Sequence, residues 1–383
     1  MVRYLRAANV KDGTLDLADV QSMNFTPAEQ NVFALRAGDV LVSEGSGSLS
    51  SVGASAVWRG ELEGIVCFQN TLLRLRPRVG VDGRYLEWWA RSAFGSGVFA
   101  SISSGANIYH LSAERVRALP ISLPPLEEQR RIADFLDAET ARIGGLDASR
   151  SAQLRLLSDR ERAMLDHSFG EARSGVPTRL KYLFSVRPRY GVLVPVFTDD
   201  GVPFIRVNDL LDLEGRADGL RNIPSELSAQ YTRSVVRPGD LLMSVVGTLG
   251  RTAIAPASLT GANIARAVCS MRFMPDVEVQ LVEAWIGSSS FNEQALIATS
   301  TDTAQPTLGM EDLGNFSLTW PSDPQERRHM IREIDRIQSS MRSLSKKLER
   351  QKAVLTERRQ ALITAAVTGQ IDVSTASGRG IEE

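Results

Sequence analysis

Apolar residues recur at spacings of three, four and seven along two long stretches of the chain. Leu136, Ile143, Leu146, Leu157 and Met164 form one series with Gln153 inside it; Ile334, Met341, Leu344, Leu355 and Leu362 form the other, with Gln351 inside it. Ile132, Met330 and Leu348 extend the same faces. This is the pattern of helices that pack along a seam. Each helix is predicted to run about 40 residues, or about 60 Å at 1.5 Å per residue. Prolines stand just before Leu126 and at Pro324, where a first helical turn tolerates them. Gly144–Gly145 weakens the first helix by about 1–2 kcal/mol relative to Ala-Ala and marks a candidate bend. A buried amide at Gln153 or Gln351 would fix register. A half-exposed polar interruption fits the pattern equally well. Arg150 stands opposite Leu348 in the alignment, so the two stretches are not identical partners.

Between these stretches the periodicity is short and mixed. "DVLVS", "IVCFQNTLLRL", "DLLMSVV" and "AVCSMRF" read as strands, whereas "GRYLEWWARSAF" and "VQLVEAWIGSSSF" read as helices. The segments 1–120 and 177–320 are therefore expected to be α+β globular units. "SEGSGSLSSVGAS" and "SSGAN" are Gly/Ser tracts, suited either to free surface loops or to loops ordered against a ligand.

The chain is written twice. "LRAGDVLVS" returns as "VRPGDLLMS", with Asp39 on Asp240 and Ser43 on Ser244, displaced by 201. "YLEWWARS" answers "LVEAWIGS" with Glu87 on Glu283 at 196, and "LSAERVRALPISLP" answers "LGMEDLGNFSLTWP" at 197. "VC" at Val66–Cys67 is matched with Val268–Cys269. From Glu128/Glu326 the displacement holds at 198 as far as "LSDRERAML" against "LTERRQALI". Loops tolerate insertions, but one extra residue in a packed helix turns its apolar face by about 100°. Length is therefore constrained in the helices.

Composition adds little. Net charge is −1, which gives no global sign of a nucleic-acid partner. Lys occurs only at 11, 181, 346, 347 and 352, leaving 39 of the 44 cations as Arg. A GC-rich genome that favours Arg codons explains that bias as well as phosphate or guanine recognition does. Cys67 and Cys269 stand far apart, outside any disulfide or zinc spacing. No membrane span or signal segment is visible, so a cytoplasmic location is expected. Catalytic motifs are not found. "LPPL" and "WPSD" do not substitute for an amino-methyltransferase tetrapeptide, and "GTLGRT" lacks the spacing and Lys of a phosphate loop. "PDVEVQ" lacks the closing Lys of a nuclease motif, and His110, His167 and His329 are scattered.

The order of these parts, with "LPPLEEQRRIADFLD" at the first helix entry and "RRQALITAAVTGQIDV" near the end, resembles the specificity (S) subunit family of type I restriction–modification systems, HsdS. The resemblance covers nearly the whole chain. It implies an α+β fold of two repeated target recognition domains separated by two long antiparallel, coiled-coil spacer helices about a pseudo-two-fold. On that basis residues 1–122 are the first recognition domain, 123–170 the first spacer, 171–320 the second domain, 321–370 the second spacer and 371–383 a flexible tail. The resemblance also implies a non-catalytic subunit that reads a bipartite site in double-stranded DNA and docks methyltransferase subunits, two being expected. Restriction/translocase subunits would join through these. S-adenosylmethionine, ATP and Mg are then expected only in partner subunits, with no cofactor, metal or membrane for this chain.

Candidate DNA-binding residues are Arg6, Asn9, Ser46, Ser48, Asn107 and Tyr109 in the first unit. In the second they are Arg187, Arg189, Tyr190, Arg206, Asn208, Thr248, Arg251, Gln305 and Thr307. Arg, Asn and Gln make bidentate base contacts, and hydroxyls suit phosphates. One departure from the family pattern stands out. The second unit carries "TRLKYLFSVRPRYGVLVPVFTDDGVP" ahead of "FIRVND", but the first starts at "YLRAANV" with almost nothing before it. About 25 residues are missing there by comparison with the second copy: the chain is short, starts upstream, or is completed by another polypeptide. Two other classes compete with the leading reading: a coiled-coil scaffold that does not read DNA, and a degenerate methyltransferase or nuclease.

Overall fold

The structure, a computed structural model, describes residues 1–46, 48–49, 51–105, 108–300 and 305–373. It is α+β and divides into two compact units: Met1–Ser151 with Leu348–Glu383, and Ala152–Lys347. The division cuts both long helices, Leu126–Gly170 and Pro324–Val367. Among the described residues no helix is long and apolar enough to cross a membrane.

The first unit holds two three-stranded sheets. In one, Val40–Ser43 lies between Ser55–Val57 and Leu72–Leu75, both antiparallel to it. In the other, Val2–Leu5 pairs antiparallel with Gln21–Met23 and parallel with Val66–Phe68. The helix Gly83–Gly95 buries Tyr85, Trp88 and Ala90. Its start is capped by Asp82, whose carboxylate accepts from the Arg84 and Tyr85 amides.

The second unit repeats this plan. Leu241–Ser244 pairs with Thr252–Ile254 and Val268–Phe273, and Val202–Ile205 pairs with Arg221–Ile223 and, parallel, with Asn263–Ile264. It also has elements without a counterpart among the described residues of the first. Phe184–Tyr190 adds a fourth strand on Val268–Phe273, and Gly175–Arg179 pairs with Ser317–Pro321.

The repeated "R-x-G-D" is one hydrogen-bonded turn used twice. Asp39 accepts from the Arg36 amide at 2.8 Å, and from Arg76 Nε and Nη2 at 2.7 and 2.6 Å. Asp240 accepts from the Arg237 amide at 2.9 Å, and from Arg272 Nε and Nη2 at 2.7 Å each. Both aspartates are 1% exposed. Ionised carboxylates so deeply buried need such bidentate partners.

Register corrects one expected match. Leu72 pairs with Ser43 as Val268 pairs with Ser244, so the displacement falls from 201 at Ser43/Ser244 to 196 at Leu72/Val268. Val66–Cys67 lies on a different strand, parallel to Val2–Leu5. Its "VC" and that of Val268–Cys269 are not equivalent. The Gly/Ser loop absorbs four of the five extra residues of the first unit, the displacement being 197 at Ala56/Ala253, and the fifth lies between Val57 and Leu72.

Within each unit, part of one long helix packs antiparallel on part of the other. Ile132, Ala133 and Leu136 share a core with Ile363, Ala366 and Val367. Lys352 Nζ donates to Ser151 Oγ at 2.6 Å. In the second unit Leu165 and Phe169 share a core with Met330 and Ile334. Of the expected seam, Ile132, Leu136, Ile143, Met330, Ile334 and Met341 are buried, while Leu157, Met164, Leu348, Leu355 and Leu362 are half-buried. Leu146 and Leu344 depart from expectation, 39% and 43% exposed. Gln153 and Gln351 are exposed as well, which favours the polar interruption over a buried amide. A straight helix drifts about 20° per heptad from a 3.5-residue repeat. The buried stripe accordingly steps from Met164 to Leu165 and from Leu362 to Ile363. The first helix runs unbroken through Gly144–Gly145, where an added Cβ would meet nothing within 4 Å.

The helix entries are pinned by a side chain that the sequence reading passed over. Gln129, 1% exposed, accepts from the Asp82 amide at 2.9 Å and donates to the Gly80 and Pro124 carbonyls at 3.0 and 2.8 Å. Its counterpart Arg327 donates to the Pro321 and Ser322 carbonyls at 3.0 and 3.1 Å.

Asp240→Ala should lower stability by about 3–5 kcal/mol in urea unfolding, with Asp240→Ala/Arg272→Leu recovering part of the loss. A double variant no better than the single would show that the pair itself is not the cause. Gly144→Ala and Gly145→Ala should each add up to about 1 kcal/mol of stability; a loss would mean that the glycines serve a required bend.

Candidate nucleic-acid interface

In each unit the central strand ends in a loop that folds back on a later segment. In the first, the Glu44 carbonyl accepts from the Leu111 amide at 2.8 Å, and Gly45–Ser46 pairs with Tyr109–His110. In the second, the Val245 carbonyl accepts from the Leu308 amide at 2.8 Å, and Val246 bridges Thr307. Gly53 and Gly250 close the two loops with positive φ of 89° and 77°. An added Cβ at Gly53 would stand 2.6 Å from Phe99, and at Gly250 3.2 Å from Phe291. Each of these rings packs edge-on against a tryptophan, Trp89 at 6.1 Å and Trp285 at 5.4 Å between centroids.

The second unit links most of its candidate residues into a continuous surface. The Arg251 guanidinium donates to the Val207 carbonyl at 3.2 Å and to Asn208 Oδ1 at 3.4 Å, joining two loops. Thr248 is exposed on the same loop as Arg251. Across from it, Gln305 Nε2 lies 2.9 Å from where a Cβ on Gly247 would stand, and the Gly247 amide donates to the Pro306 carbonyl at 2.9 Å. Thr307 Oγ1 donates to the Gln305 carbonyl at 3.3 Å. Tyr190 Oη donates to the Leu308 carbonyl at 2.8 Å, which ties the strand bearing Arg187 and Arg189 to that segment. Burial raises the Tyr190 phenol above its ordinary value, keeping it a neutral donor. Arg187 is exposed and Arg189 half-buried, and among the described residues neither makes an ion pair.

Arg206 is committed internally. Its amide and guanidinium donate to Asp209, 3% exposed, at 2.8–3.2 Å.

The first unit gathers fewer of its expected groups. Arg6 pairs with Asp19. Asn9 is corrected from a surface contact to a buried brace: at 2% exposure its Oδ1 accepts from the Arg6 amide at 3.0 Å, and its Nδ2 donates to the Asp16 and Asp19 carbonyls at 2.8 and 3.1 Å. Its counterpart by hydrogen bonding is Asp209, not Asn208. Ser48 is exposed, Tyr109 is half-buried, and Ser46 is placed by its strand pairing. Asn107 lies outside the described residues.

The units therefore present different chemistry on one framework. The Ser43 amide donates to the Ala54 carbonyl where the Ser244 amide donates to the Arg251 carbonyl, so the position of Arg251 is Ala54 in the first unit. Among the described residues no cluster of His, Cys, Asp and Glu could hold a metal ion. Burial pushes the Cys269 thiol up to about 12, leaving it unreactive at neutral pH.

A family model described as "Type I restriction modification DNA specificity domain" matches residues 20–153. The specificity subunit of the type I restriction enzyme EcoBI of Escherichia coli is 28% identical over 298 residues, covering 70% of this chain and 62% of that protein. The chain thus spans less than two thirds of that relative. The EcoKI specificity subunit of Escherichia coli K12 is 20% identical over 395 residues, covering 96% of this chain and 82% of that protein. A chain from a solved structure, described as "Structural basis underlying complex assembly and conformational transition of the type I R-M system", superposes with a TM-score of 0.67. It is 21% identical and covers 97% of this chain and 92% of its own length.

Glu283 hydrogen-bonds Thr252, next to Arg251. Burial raises its carboxyl above the model-compound value of 4.5, outweighing Thr252 and Arg342, which pull it down. A raised carboxyl contributes stability that is present below about 4.5 and lost as pH rises through the folded value. Stability should thus fall as pH climbs from that range towards neutrality, and Glu283→Gln should flatten the fall. Parallel curves for the two proteins in urea midpoints would refute the assignment.

Proposed function

We propose that this chain, similar to the specificity subunits of type I restriction–modification systems, is one of that family and reads a bipartite DNA sequence for catalytic partner chains. The observation that carries the reading is the twofold use of one framework with different side chains at its loops. A repeated framework supports two readers of the same kind, and the exchange of Arg251 for Ala54 supports two different half-sites. In the second unit, Arg187 and Arg189 would neutralise phosphates. Asn208, Gln305 and the hydroxyl of Thr248 would face base edges or sugar-phosphate oxygens. Arg251 would act chiefly by holding the 207–208 loop against its own.

In this reading the chain does no bond-making itself. Methyl transfer to DNA falls to docked methyltransferase subunits that carry S-adenosylmethionine, and ATP-driven steps fall to a restriction subunit joined through them. The long helices, whose lengths match between the copies, would keep the spacing of the half-sites, as protein geometry does for symmetric dimers.

Co-expression with the cognate methyltransferase, followed by genome-wide mapping of methylated bases, should reveal a split motif. Gln305→Ala should relax one base position in one half, costing about 1–3 kcal/mol there, with the other half unchanged. Arg187→Ala and Arg189→Ala should instead weaken binding of all sequences alike and reduce the salt slope by about one each. Binding indifferent to DNA sequence with the methyltransferase present would favour a scaffold. Methyl transfer by the purified chain alone would make it an enzyme.

A further inference from the structure

The second unit shows a groove filled; the first shows the same groove open. In the second, Phe184–Tyr190 pairs antiparallel with Val268–Phe273, and Gly175–Arg179 with Ser317–Pro321. The turn between these two strands sinks Leu180 and Leu183 into the core, 0% and 6% exposed. The first unit has both receiving elements. Leu72–Leu75 ends the order of its sheet, with one edge unpaired among the described residues. Pro120–Pro124 matches Ser317–Pro321 in sequence yet lies in no strand. Its Leu123 is 51% exposed, where the matching Trp320 is 8% exposed.

Along that edge runs a groove of about 800 Å³, lined by Leu73, Leu75, Leu86, Trp89 and Ile121. Arg78 and Arg117 stand exposed on its lining. Among the described residues neither has an ion-pair partner, whereas Arg76 beside them is neutralised by Asp39. An open strand edge displays a row of unsatisfied N–H and C=O groups, and extended segments bind such edges by adding a strand.

We propose that this groove is a strand-acceptor site, filled by an extended segment that a partner polypeptide donates. The segment runs antiparallel to Leu72–Leu75, as Phe184–Tyr190 runs against the equivalent strand. Its apolar residues enter the groove, and acidic residues near its ends meet Arg78 and Arg117. The site stands apart from the DNA-reading proposal, since the groove would accept a strand whether or not the loops bind bases.

The test uses the full chain and a synthetic peptide of residues 175–190 in which Arg179, Lys181, Arg187 and Arg189 are replaced by Glu. Titration should give one bound peptide, with slowed amide exchange at Leu72–Leu75. Affinity should exceed that of the unaltered 175–190 peptide by about tenfold, and Arg78→Glu/Arg117→Glu in the protein should reverse that order. Both arginines are exposed, so the variant retains the fold. Three results would overturn the proposal. The acidic peptide fails to bind, or binds no better than one with Leu180, Leu183, Phe184 and Val186 replaced by Ser. The outward-facing amides of Leu72–Leu75, those not bonded to Val40–Ser43 or the preceding turn, are already protected in the monomeric chain, so that the chain fills its own groove. Protection appears only on self-association, so that the occupant is a second copy.

Discussion

Asp39 and Asp240 sit almost wholly out of water, and the burial is tolerable only because both oxygens of each carboxylate are taken. A backbone amide three residues earlier closes the turn, and an arginine at or just past the end of the adjacent strand grips the carboxylate side-on. One group thus joins the entry turn, the central strand and that neighbouring strand. Val40–Ser43 and Leu241–Ser244 begin at these turns, and the loops that carry the candidate contacts leave from their far ends. Loop placement is therefore inherited from a salt bridge about four residues away, not from contacts among the loops alone.

The long helices distribute their burial unevenly. Apolar side chains are deepest where each helix lies against a globular core, as at Leu136, Leu165, Ile334 and Ala366. Leu146 and Leu344, between such regions, stay accessible. Gln129 and Arg327 show how the angle of entry is held: a buried polar head takes up backbone groups of the turn it leaves. A helix whose start is fixed in this way transmits any change in length as rotation of its apolar face, which accounts for a displacement of 198 that never drifts along it.

The two units diverge where function would require it and agree where packing does. The aromatic pairs Trp89–Phe99 and Trp285–Phe291 and the glycines beside them preserve the loop base. The loops above differ in length, charge and polarity. In the second unit Arg251 bonds Asn208 and Tyr190 bonds the segment that carries Gln305, while among the described candidates the first unit presents an exposed Ser48 and a half-buried Tyr109. The open edge at Leu72–Leu75 is the other asymmetry, and it is one of completeness, not of side-chain choice.

Duplication, the α+β class and the two long helices were legible in the chain because each leaves a local record: repeated strings, alternating runs and a seven-residue rhythm. The candidate loops were legible too, as Gly-rich breaks after a recognisable strand. Pairing was not. Which strand "VC" occupies, whether Asn9 faces water, and which residue matches Arg251 depend on register, and register is set by partners far along the chain. The role of Gln129 was hidden for the same reason, since a lone glutamine among charged residues looks solvent-facing until the backbone groups it satisfies are brought beside it. Local periodicity therefore determined the parts of this protein. The demand that every buried polar group find a partner, which only the folded chain can meet, decided their arrangement.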